Sequence, residues 1–391
     1  MAIALYTDQS YLLFFICLIS GLLLQSFIKK RVKGHKTIQL PPSPLALPII
    51  GHLHLLGSTL HQSFQTLAFR YGPLMLIRAG TTTSYVVSNA IVAKEVFKTH
   101  DIDFASRPEF GSSDYNIYKD TLFSTLGYGK YWIFMKKVCM MELLSAASIN
   151  RFADIRRQEM VKLLELLLKR SGEGESCDVG VELMSMTNNM ICRMTMSTRC
   201  SGNANESTEI REIAKGITLL SGQLSLGEVF GPLKKYDLFG AGKKVKALLI
   251  RYDQLLDRII MEHEKKRHSQ DIKKKDMMDI LLEISDGDQT ADVKLTRNGI
   301  KGFFLHHDPE DVKGQRFDYV PFGGGRRGCP GSGLAAAVMH VTLAAVVQCF
   351  HWKLKSGDKV DMEEGAGFSA ALAHPLVCYP TVRVNTSVIT T

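Results

Sequence analysis

Phe-Gly-Gly-Gly-Arg-Arg-Gly-Cys-Pro-Gly, residues 322–331, is the stretch that decides the fold of this chain. It places one cysteine, Cys329, in a glycine-rich loop just before the helix-forming run Leu334 to Met339. Glycines let a backbone fold closely around a bound group, Pro330 suits the first turn of a helix, and a helix N-terminus stabilises a thiolate. The pattern therefore predicts that Cys329 is a thiolate ligand of a metal.

The same stretch resembles the haem loop of the cytochrome P450 family, Phe-x-x-Gly-x-Arg-x-Cys-x-Gly. The matching residues are Phe322, Gly325, Arg327, Cys329 and Gly331. The resemblance implies that Cys329 is the axial thiolate of haem b, that Arg327 faces a haem propionate, and that Phe322 packs near the sulfur. Because a thiolate ligand promotes O–O cleavage, the implied activity is that of a haem-thiolate monooxygenase.

The loop also admits two other interpretations, a dinucleotide-binding motif and a buried structural cysteine. Gly323-x-Gly325-x-x-Gly328 also fits the dinucleotide-binding expression, which would indicate an NADP-dependent dehydrogenase. Pro321 disfavours the strand that this motif requires, and no acidic residue stands near the position twenty residues after Gly328. A buried structural cysteine is the common fate of a lone cysteine, but a packed core has little use for so many glycines and two arginines.

The N-terminal region predicts a membrane anchor. Residues Tyr11 to Ile28 are almost wholly apolar and are followed by the basic residues Lys29, Lys30 and Arg31. A stretch of this length can span a bilayer when tilted, and positive charge after it keeps the rest of the chain in the cytosol. A cleaved signal peptide is disfavoured because no positive charge precedes the apolar run. We expect residues 1–28 to form a single-pass anchor in the endoplasmic reticulum membrane.

A basic and proline-rich hinge is predicted over residues 29–50, before a main domain over residues 51–391. Its prolines, between Leu40 and Pro48, enforce extended backbone. The following Ile50 to Leu56 resembles the entry segment of plant microsomal P450s. His52 and His54 have no ligand-like neighbours in the sequence, so solvent-facing or backbone-bonded roles are expected.

Composition sets broad limits. The 391 residues are 45% hydrophobic and carry a formal net charge of +9, with basic residues spread along helical stretches. Solvated helix faces, with some contacts to anionic lipid or an acidic redox partner, explain this charge better than nucleic acid does. The eight cysteines form neither a disulfide framework nor a zinc pattern, which suits a reducing cytosol.

Hydrophobic periodicity predicts a mainly α fold with a small β part. The predicted helices are Ser63–Tyr71, Ala93–Thr99, Lys130–Leu144, Ile155–Arg170, Glu209–Leu220, Lys244–His268 and Lys275–Ile284. The predicted strands lie within Leu74–Ala79, Ser84–Ser88 and Lys353–Val384. The resemblance to cytochrome P450s implies that this is the P450 fold, preceded here by one transmembrane helix.

Other stretches resemble the same family. Trp132 to Lys136 matches its Trp-x-x-x-Arg motif, which implies that both residues face a haem propionate, although lysine lacks the bidentate fork of arginine. Phe104 to Phe110 resembles the opening of a loop over the substrate pocket, expected to run to about Phe123. Phe368 and Ala370 lie in a segment that resembles the substrate-facing C-terminal turn, although both could be core residues.

The resemblance is strongest to plant microsomal P450s that oxidise flavonoids, isoflavonoids and pterocarpans. It is seen in residues 41–44, 50–55 and 134–140. It implies a small, apolar, flavonoid-like substrate, O2, and electrons delivered from NADPH by NADPH-cytochrome P450 reductase. Substrate and regioselectivity are left open.

A large internal deletion is expected at Leu305/His306. Asn298 to Leu305 resembles the start of the helix that crosses the haem, whereas His306 to Asp311 already resembles the loop before the cysteine motif. The Ala-Gly-x-Asp/Glu-Thr motif that handles oxygen is absent from the sequence, and Glu264-x-x-Arg267 lies upstream, where a solvated helix end is expected.

Two hypotheses therefore stand for this incomplete fold, which lacks the crossing helix and the proximal core segment. The first is an internally truncated monooxygenase, and the second is a non-catalytic, membrane-anchored remnant. Loss of a core helix exposes apolar surface, so we expect weak haem binding and inefficient catalysis.

Overall fold

The structure is a computed structural model. It describes residues 20–21, 40–108, 117–118, 120–123, 125–199, 213, 240–268, 275–287, 293–305, 317, 319–355, 359–365 and 372–383. The predicted anchor (apart from residues 20–21), most of the hinge, nearly all of the predicted helix Glu209–Leu220, His306 to Asp311, Phe368 and Ala370 lie outside this set. Two compact units are distinguished, and the described residues 40–88 belong to the first of them.

In the first unit, helix α1 (Leu60–Tyr71) precedes a two-stranded hairpin of β1 (Leu74–Ala79) and β2 (Thr82–Val87). The strands are antiparallel, with Leu74 opposite Val87. Met75, Leu76 and Ile77 of β1 are all buried. The β1 strand was predicted with the same bounds, and α1 begins three residues earlier than predicted.

His52 joins the proline-rich segment to β1. Its Nδ1 accepts the backbone N–H of Arg78 at 2.7 Å, so Nε2 carries the proton and donates to the carbonyl oxygen of Pro44 at 2.9 Å. The side chain is buried, at 1% exposure. Of the two roles expected for His52, the backbone-bonded one is therefore observed.

We predict that His52→Ala destabilises the first unit by about 3 kcal/mol, because it removes the partner of the buried Arg78 N–H and the shorter of two hydrogen bonds to the Pro44 carbonyl. Chemical denaturation of the full chain measures this loss. His54→Ala is the matched control, since His54 is exposed. Equal effects of the two substitutions would contradict the role given to His52.

The second unit is mainly helical. Its α-helices are α2 (Ala90–Lys94), α3 (Lys130–Val138), α4 (Ala146–Arg151), α5 (Ala153–Glu173), α6 (Val179–Met196), α7 (Ala241–His268), α8 (Met277–Asp286), α9 (Arg297–Phe304) and α10 (Ser332–Cys349). A π-helical turn, Glu95–Thr99, continues α2, and another, Cys139–Leu143, continues α3. Strands β3 (Cys177–Asp178), β4 (Phe350–Leu354) and β5 (Val377–Val382) form an antiparallel sheet in the order β3-β5-β4.

The core of this unit lies among α3 and α5 to α9. Its most deeply buried members include Met135, Met190, Met194, Leu255, Leu256, Ile260, Met277, Met278, Leu281, Ile300 and Phe303. Lys301 is buried beside them on α9, where its Nζ bonds Asp253 and Asp257 of α7, each at 2.8 Å. This paired charge fixes the short helix α9 against α7.

The cysteines of the second unit are mostly reduced. Within the part of the chain that the structure describes, Cys139, Cys177, Cys329, Cys349 and Cys378 form no disulfide bond. Cys192 on α6 is disulfide-bonded, which departs from the thiols expected in a reducing cytosol.

A buried polar cluster joins α6, α7 and α8. Asp276 caps α8 by accepting the backbone N–H of Asp279 at 2.9 Å, and Asp279 accepts the N–H of Asp276 in return. The Asp276 carboxylate also accepts from Ser197, just after α6, and from His263 Nε2 at 2.9 Å. His263 Nδ1 faces the carbonyl of Ile259. Because both ring nitrogens face acceptors, His263 is an imidazolium in this cluster.

The charge of His263 makes stability depend on pH. Burial lowers its pKa, but the hydrogen bond and charge of Asp276, with a smaller contribution from Asp279, outweigh burial and raise it. Its contribution is complete below the unfolded-state pKa of about 6.5 and is lost as pH rises through the higher folded-state pKa. Burial and the charge of Asp276 also raise the pKa of Asp279. Because the unperturbed pKa of an aspartate is about 4, Asp279 begins to titrate at a lower pH than His263 does.

We predict that the free energy of unfolding falls as the pH rises above about 6.5 in the native chain, and falls less in His263→Gln, which has no titrating ring. Urea unfolding at several pH values measures both slopes. His54→Gln, at an exposed position, should behave like the native chain. Parallel slopes for the native chain and His263→Gln would contradict the assignment.

Helix α10 is unusually exposed for its composition. Its 18 residues have a mean hydropathy of 1.6 and contain no charged side chain, yet only 17% of them are buried. By length and composition alone it is a helix that could cross a membrane. Leu334 and Thr342 form its buried side, whereas Val341 and Leu343 are about three-fifths exposed.

Candidate functional site

The cysteine loop is closed by its own backbone. The N–H of Cys329 donates to the carbonyl of Phe322 at 3.2 Å, and Phe322 is buried. Gly331, immediately before α10, donates its N–H to the Cys329 sulfur at 3.3 Å. Such a donor would stabilise a thiolate at Cys329.

Two glycines of the loop have left-handed backbone, with φ of +69° at Gly323 and +63° at Gly325. They differ in their surroundings. A Cβ atom at Gly325 would lie 2.5 Å from the carbonyl oxygen of Phe97, whereas one at Gly323 would meet nothing within 4 Å. Gly325 is therefore required both by its conformation and by the close approach of the segment after α2.

A cationic cluster lies beside the loop. Trp132 on α3 is buried, and the guanidinium carbon of Arg327 lies 4.2 Å from the centroid of its ring. The Nζ atom of Lys136, one turn further along α3, lies 5.1 Å from the same ring. The four residues Trp132, Lys136, Arg327 and Cys329, which the sequence places in two distant segments, are thus brought to one region.

Backbone carbonyls hold both cations. Lys136 Nζ donates to the carbonyls of Arg326 and Gly328, the latter at 3.2 Å. Arg327 donates to the carbonyls of Ala105 and Leu126. These contacts could not be predicted from the sequence, because backbone carbonyl acceptors do not depend on residue identity.

Burial makes the charged forms of Arg327 and Lys136 energetically unfavourable. It lowers the pKa of Arg327 to about 10, with a further contribution from Arg107, and lowers the pKa of Lys136, to which Arg327 also contributes. Within the described residues, no salt bridge of Arg327 or Lys136 is seen, whereas the neighbouring Arg326 pairs with Asp101. An incoming anionic group would therefore be stabilised at Arg327 and Lys136.

Cys139 is a neighbour that the sequence reasoning missed. It follows Lys136 by three residues and is almost fully buried. Burial, with a smaller contribution from Cys329, raises the pKa of Cys139 to about 12. Cys139 is therefore a neutral thiol near neutral pH and does not compete with Cys329 as a thiolate ligand.

The region between α3 and α9 is tightly packed. Phe123 stacks on Trp132 with ring centroids 5.6 Å apart and contacts Phe303 of α9. A Cβ atom at Gly299 or Gly302 would lie 2.3 Å from the Tyr131 hydroxyl or 2.7 Å from Thr121 Oγ1, respectively. The start of α9 therefore rests closely against the loop that was expected to run to Phe123.

The structure shows the surroundings of two stretches that match other sequence motifs. Residues 319–321 before the glycine loop are not in a strand, so the dinucleotide-binding motif lacks its required setting. Glu264 and Arg267 on α7 bond Arg297 and Asp286, each at 2.9 Å, and not each other. They are part of an ion-pair network at a partly exposed helix end.

The donor set fits haem on the ligand side. A cysteine with an amide donor, two desolvated cations without carboxylate partners and a buried indole together suit a planar metal cofactor that carries carboxylates. The fold and the site define a mainly helical protein built around a cysteine-centred cofactor loop.

The chain belongs to the cytochrome P450 family. The family model described as Cytochrome P450 matches it in two segments, residues 41–307 and 303–377. Members of the family are monooxygenases, and the family implies haem iron with a cysteine thiolate ligand.

Curated relatives from plants match over most of the chain. Cytochrome P450 93A3 of Glycine max is 31% identical over 509 aligned positions, covering 96% of this chain and 99% of the relative. The 3,9-dihydroxypterocarpan 6A-monooxygenase of Glycine max is 30% identical over 508 positions, with the same coverage of each chain. Because the alignments are longer than the 391 residues of this chain, each relative contains a long stretch without a counterpart here.

A solved structure shows the fold. The chain is similar to a zebra fish cytochrome P450, solved with progesterone, with a TM-score of 0.66 and 18% identity. The similarity covers 82% of this chain and 99% of that one. The predicted P450 fold, mainly α with a small β part, is confirmed.

We predict that Gly325→Ala disrupts the loop far more than Gly323→Ala. Both substitutions place alanine at a left-handed φ, which costs about 1 kcal/mol, but only alanine at 325 also clashes with Phe97. The haem content of the purified chain should fall about tenfold in Gly325→Ala and less than about threefold in Gly323→Ala. Equal losses would show that the approach of Phe97 does not constrain the loop.

Proposed function

We propose that this chain is a haem-thiolate monooxygenase that retains the ligand side of its site and has lost most of the oxygen-handling side. The observation that carries the proposal is the convergence of Arg327 and Lys136 on Trp132 beside the Cys329 loop. Haem b, when bound, supplies the redox chemistry with O2. Cys329 is its axial ligand in this proposal.

The other loop residues have defined roles in this proposal. Gly331 donates its backbone N–H to the ligand sulfur, and Lys136 fixes the loop through the carbonyls of Arg326 and Gly328. Arg327 and Lys136 provide the positive charge that pairs with haem carboxylates. Phe322 covers the loop from the protein side, and Gly325 leaves room for Phe97.

The substrate class that fits best is a small apolar plant metabolite of flavonoid type. Support comes from the relatives, one of which is named as a monooxygenase of 3,9-dihydroxypterocarpan. Electrons would come from NADPH-cytochrome P450 reductase, whose binding suits the basic character of the chain. Phe368 and Ala370 are proposed to contact substrate.

The proposed location is the endoplasmic reticulum membrane, with a single-pass anchor in residues 1–28, a hinge in residues 29–50 and a cytosolic domain in residues 51–391. The apolar run Tyr11 to Ile28 and the basic residues after it support this topology.

We further propose that the domain is internally truncated at about 305/306. Three observations support this position. The two family segments meet at residues 303–307, the relatives contain a long stretch without a counterpart, and the apolar helix α10 is largely exposed. The exposed helix also favours the second candidate, a membrane-anchored remnant without catalysis, because an intact core would cover such a surface.

The ferrous carbon-monoxide difference spectrum of the membrane-bound chain tests the ligand. We predict a weak thiolate-type Soret band that is lost in Cys329→Ala, because Cys329 receives a backbone N–H donor beside the cationic cluster. Cys349→Ala is the matched control and should retain the band, since Cys349 lies at the far end of α10. A band that survives Cys329→Ala, or no band in the native chain, would refute ligation by Cys329.

Measurement of substrate turnover tests whether the truncation abolishes catalysis. With reductase and NADPH, we predict no hydroxylation of 3,9-dihydroxypterocarpan above background by this chain, because the acid–threonine motif that handles oxygen is absent from the sequence. A chain in which the relative's additional stretch is inserted between Leu305 and His306 should gain at least about a hundredfold. Comparable turnover by both chains would contradict the proposed loss of function.

A further inference from the structure

The exposed side of α10 forms a continuous apolar surface. We define the α10 surface as His340, Leu343, Ala344 and Val347, all of which are exposed. Their spacing of three, four and seven residues places them on one side of the helix, away from the buried Leu334 and Thr342. With Gln348 and Arg383, these four residues line a shallow groove.

This helix cannot cross a bilayer in the folded chain. Its first turn follows directly from the Cys329 loop, and β4 begins immediately after Cys349. Trp352 Nε1 donates to the carbonyl of Val346 at 3.1 Å, and the N–H of Arg383 donates to the carbonyl of Cys349 at 2.8 Å. Because both ends and one side are held by the protein, any contact with lipid must be along the exposed side.

The chain segment that contains this surface carries only positive charge. No acidic residue occurs between Asp318 and Asp358 in the sequence. Lys353 and Lys355 are exposed on and after β4, and Arg383 borders the groove. None of the three forms a salt bridge with any residue that the structure describes.

The positive charge indicates which of two partners binds the α10 surface, a second copy of the chain or an anionic lipid bilayer. A second copy of the chain would bring equal positive charges together around the surface, on a chain that already carries a net charge of +9. An anionic lipid surface would attract the same residues and accept the apolar side chains at the boundary between head groups and acyl chains.

We propose that the α10 surface lies on an anionic lipid bilayer. In this arrangement Leu343 and Val347 enter the boundary region, while Arg383 contacts lipid phosphates. The contact is separate from the N-terminal anchor and does not depend on haem, so it can hold even where the proposed catalytic function fails.

Site-specific labelling of the full chain tests the contact. Leu343→Cys and Glu262→Cys are combined in one chain, because Glu262 is exposed on α7 and serves as an internal reference. The chain is inserted into vesicles of phosphatidylcholine alone, or of phosphatidylcholine and phosphatidylserine at about 3:1. A charged maleimide is added, and peptide mass spectrometry measures the labelling rate at each position separately from the native cysteines.

We expect the rate at position 343, relative to that at position 262, to be about fivefold lower in the anionic vesicles than in the neutral ones. Lys353→Gln, Lys355→Gln and Arg383→Gln together should abolish the difference, while far-UV circular dichroism confirms unchanged helix content. Equal ratios in both kinds of vesicle would overturn the proposal. A ratio that falls with protein concentration and not with lipid charge would overturn it in favour of a second copy.

Discussion

The convergence of two cations on one indole is the interaction on which the rest of the site depends. The cysteine loop contains only a short 3-10 turn, Gly325–Arg327, and its own hydrogen bonds close the loop but do not fix its position against the helices. Lys136 reaches it from α3, while Arg327 leaves it to bond the carbonyls of Ala105 and Leu126. The loop, α3 and the segment around residue 126 are therefore positioned by one set of contacts around Trp132.

Lysine at position 136 changes the character of this contact without abolishing it. Arginine would present a planar fork that binds a carboxylate through two parallel hydrogen bonds, whereas lysine presents one nitrogen with three donors. Two loop carbonyls already accept from Lys136. The residue consequently acts as much on the shape of the loop as on the charge available to a cofactor carboxylate.

The sequence predicted the elements whose signal is local. β1 has the bounds that its residues predicted, and α7 and α8 begin within three residues of the expected positions. Helix α6 was missed because Gly180, Thr187 and Asn188 favour other conformations and its methionines lie on several sides. Burial among other helices stabilises α6, and such tertiary support is not visible in a sequence window.

The features of the candidate site also divide into those that the sequence predicts and those that depend on packing. The identities and spacing of Phe322, Gly325, Arg327, Cys329 and Gly331 were sufficient to predict a metal-ligating loop. The proximity of Cys139 and the carbonyl partners of Lys136 and Arg327 could not be predicted, because they depend on the packing of distant segments. The partner of His263 was equally hidden, although the Asp276-x-x-Asp279 pattern is a local capping signal.

The position of α10 separates the stability of the core from the completion of the site. The main cluster closes among α3 and α5 to α9, and α10 joins it chiefly through Leu334, with Phe350 at the start of β4. A helix that is apolar on all sides is normally enclosed, and this one is not. A partner that covers α10 would therefore contact the helix that directly follows Cys329. Cofactor affinity can consequently respond to the environment of α10 while the remaining helices keep their packing.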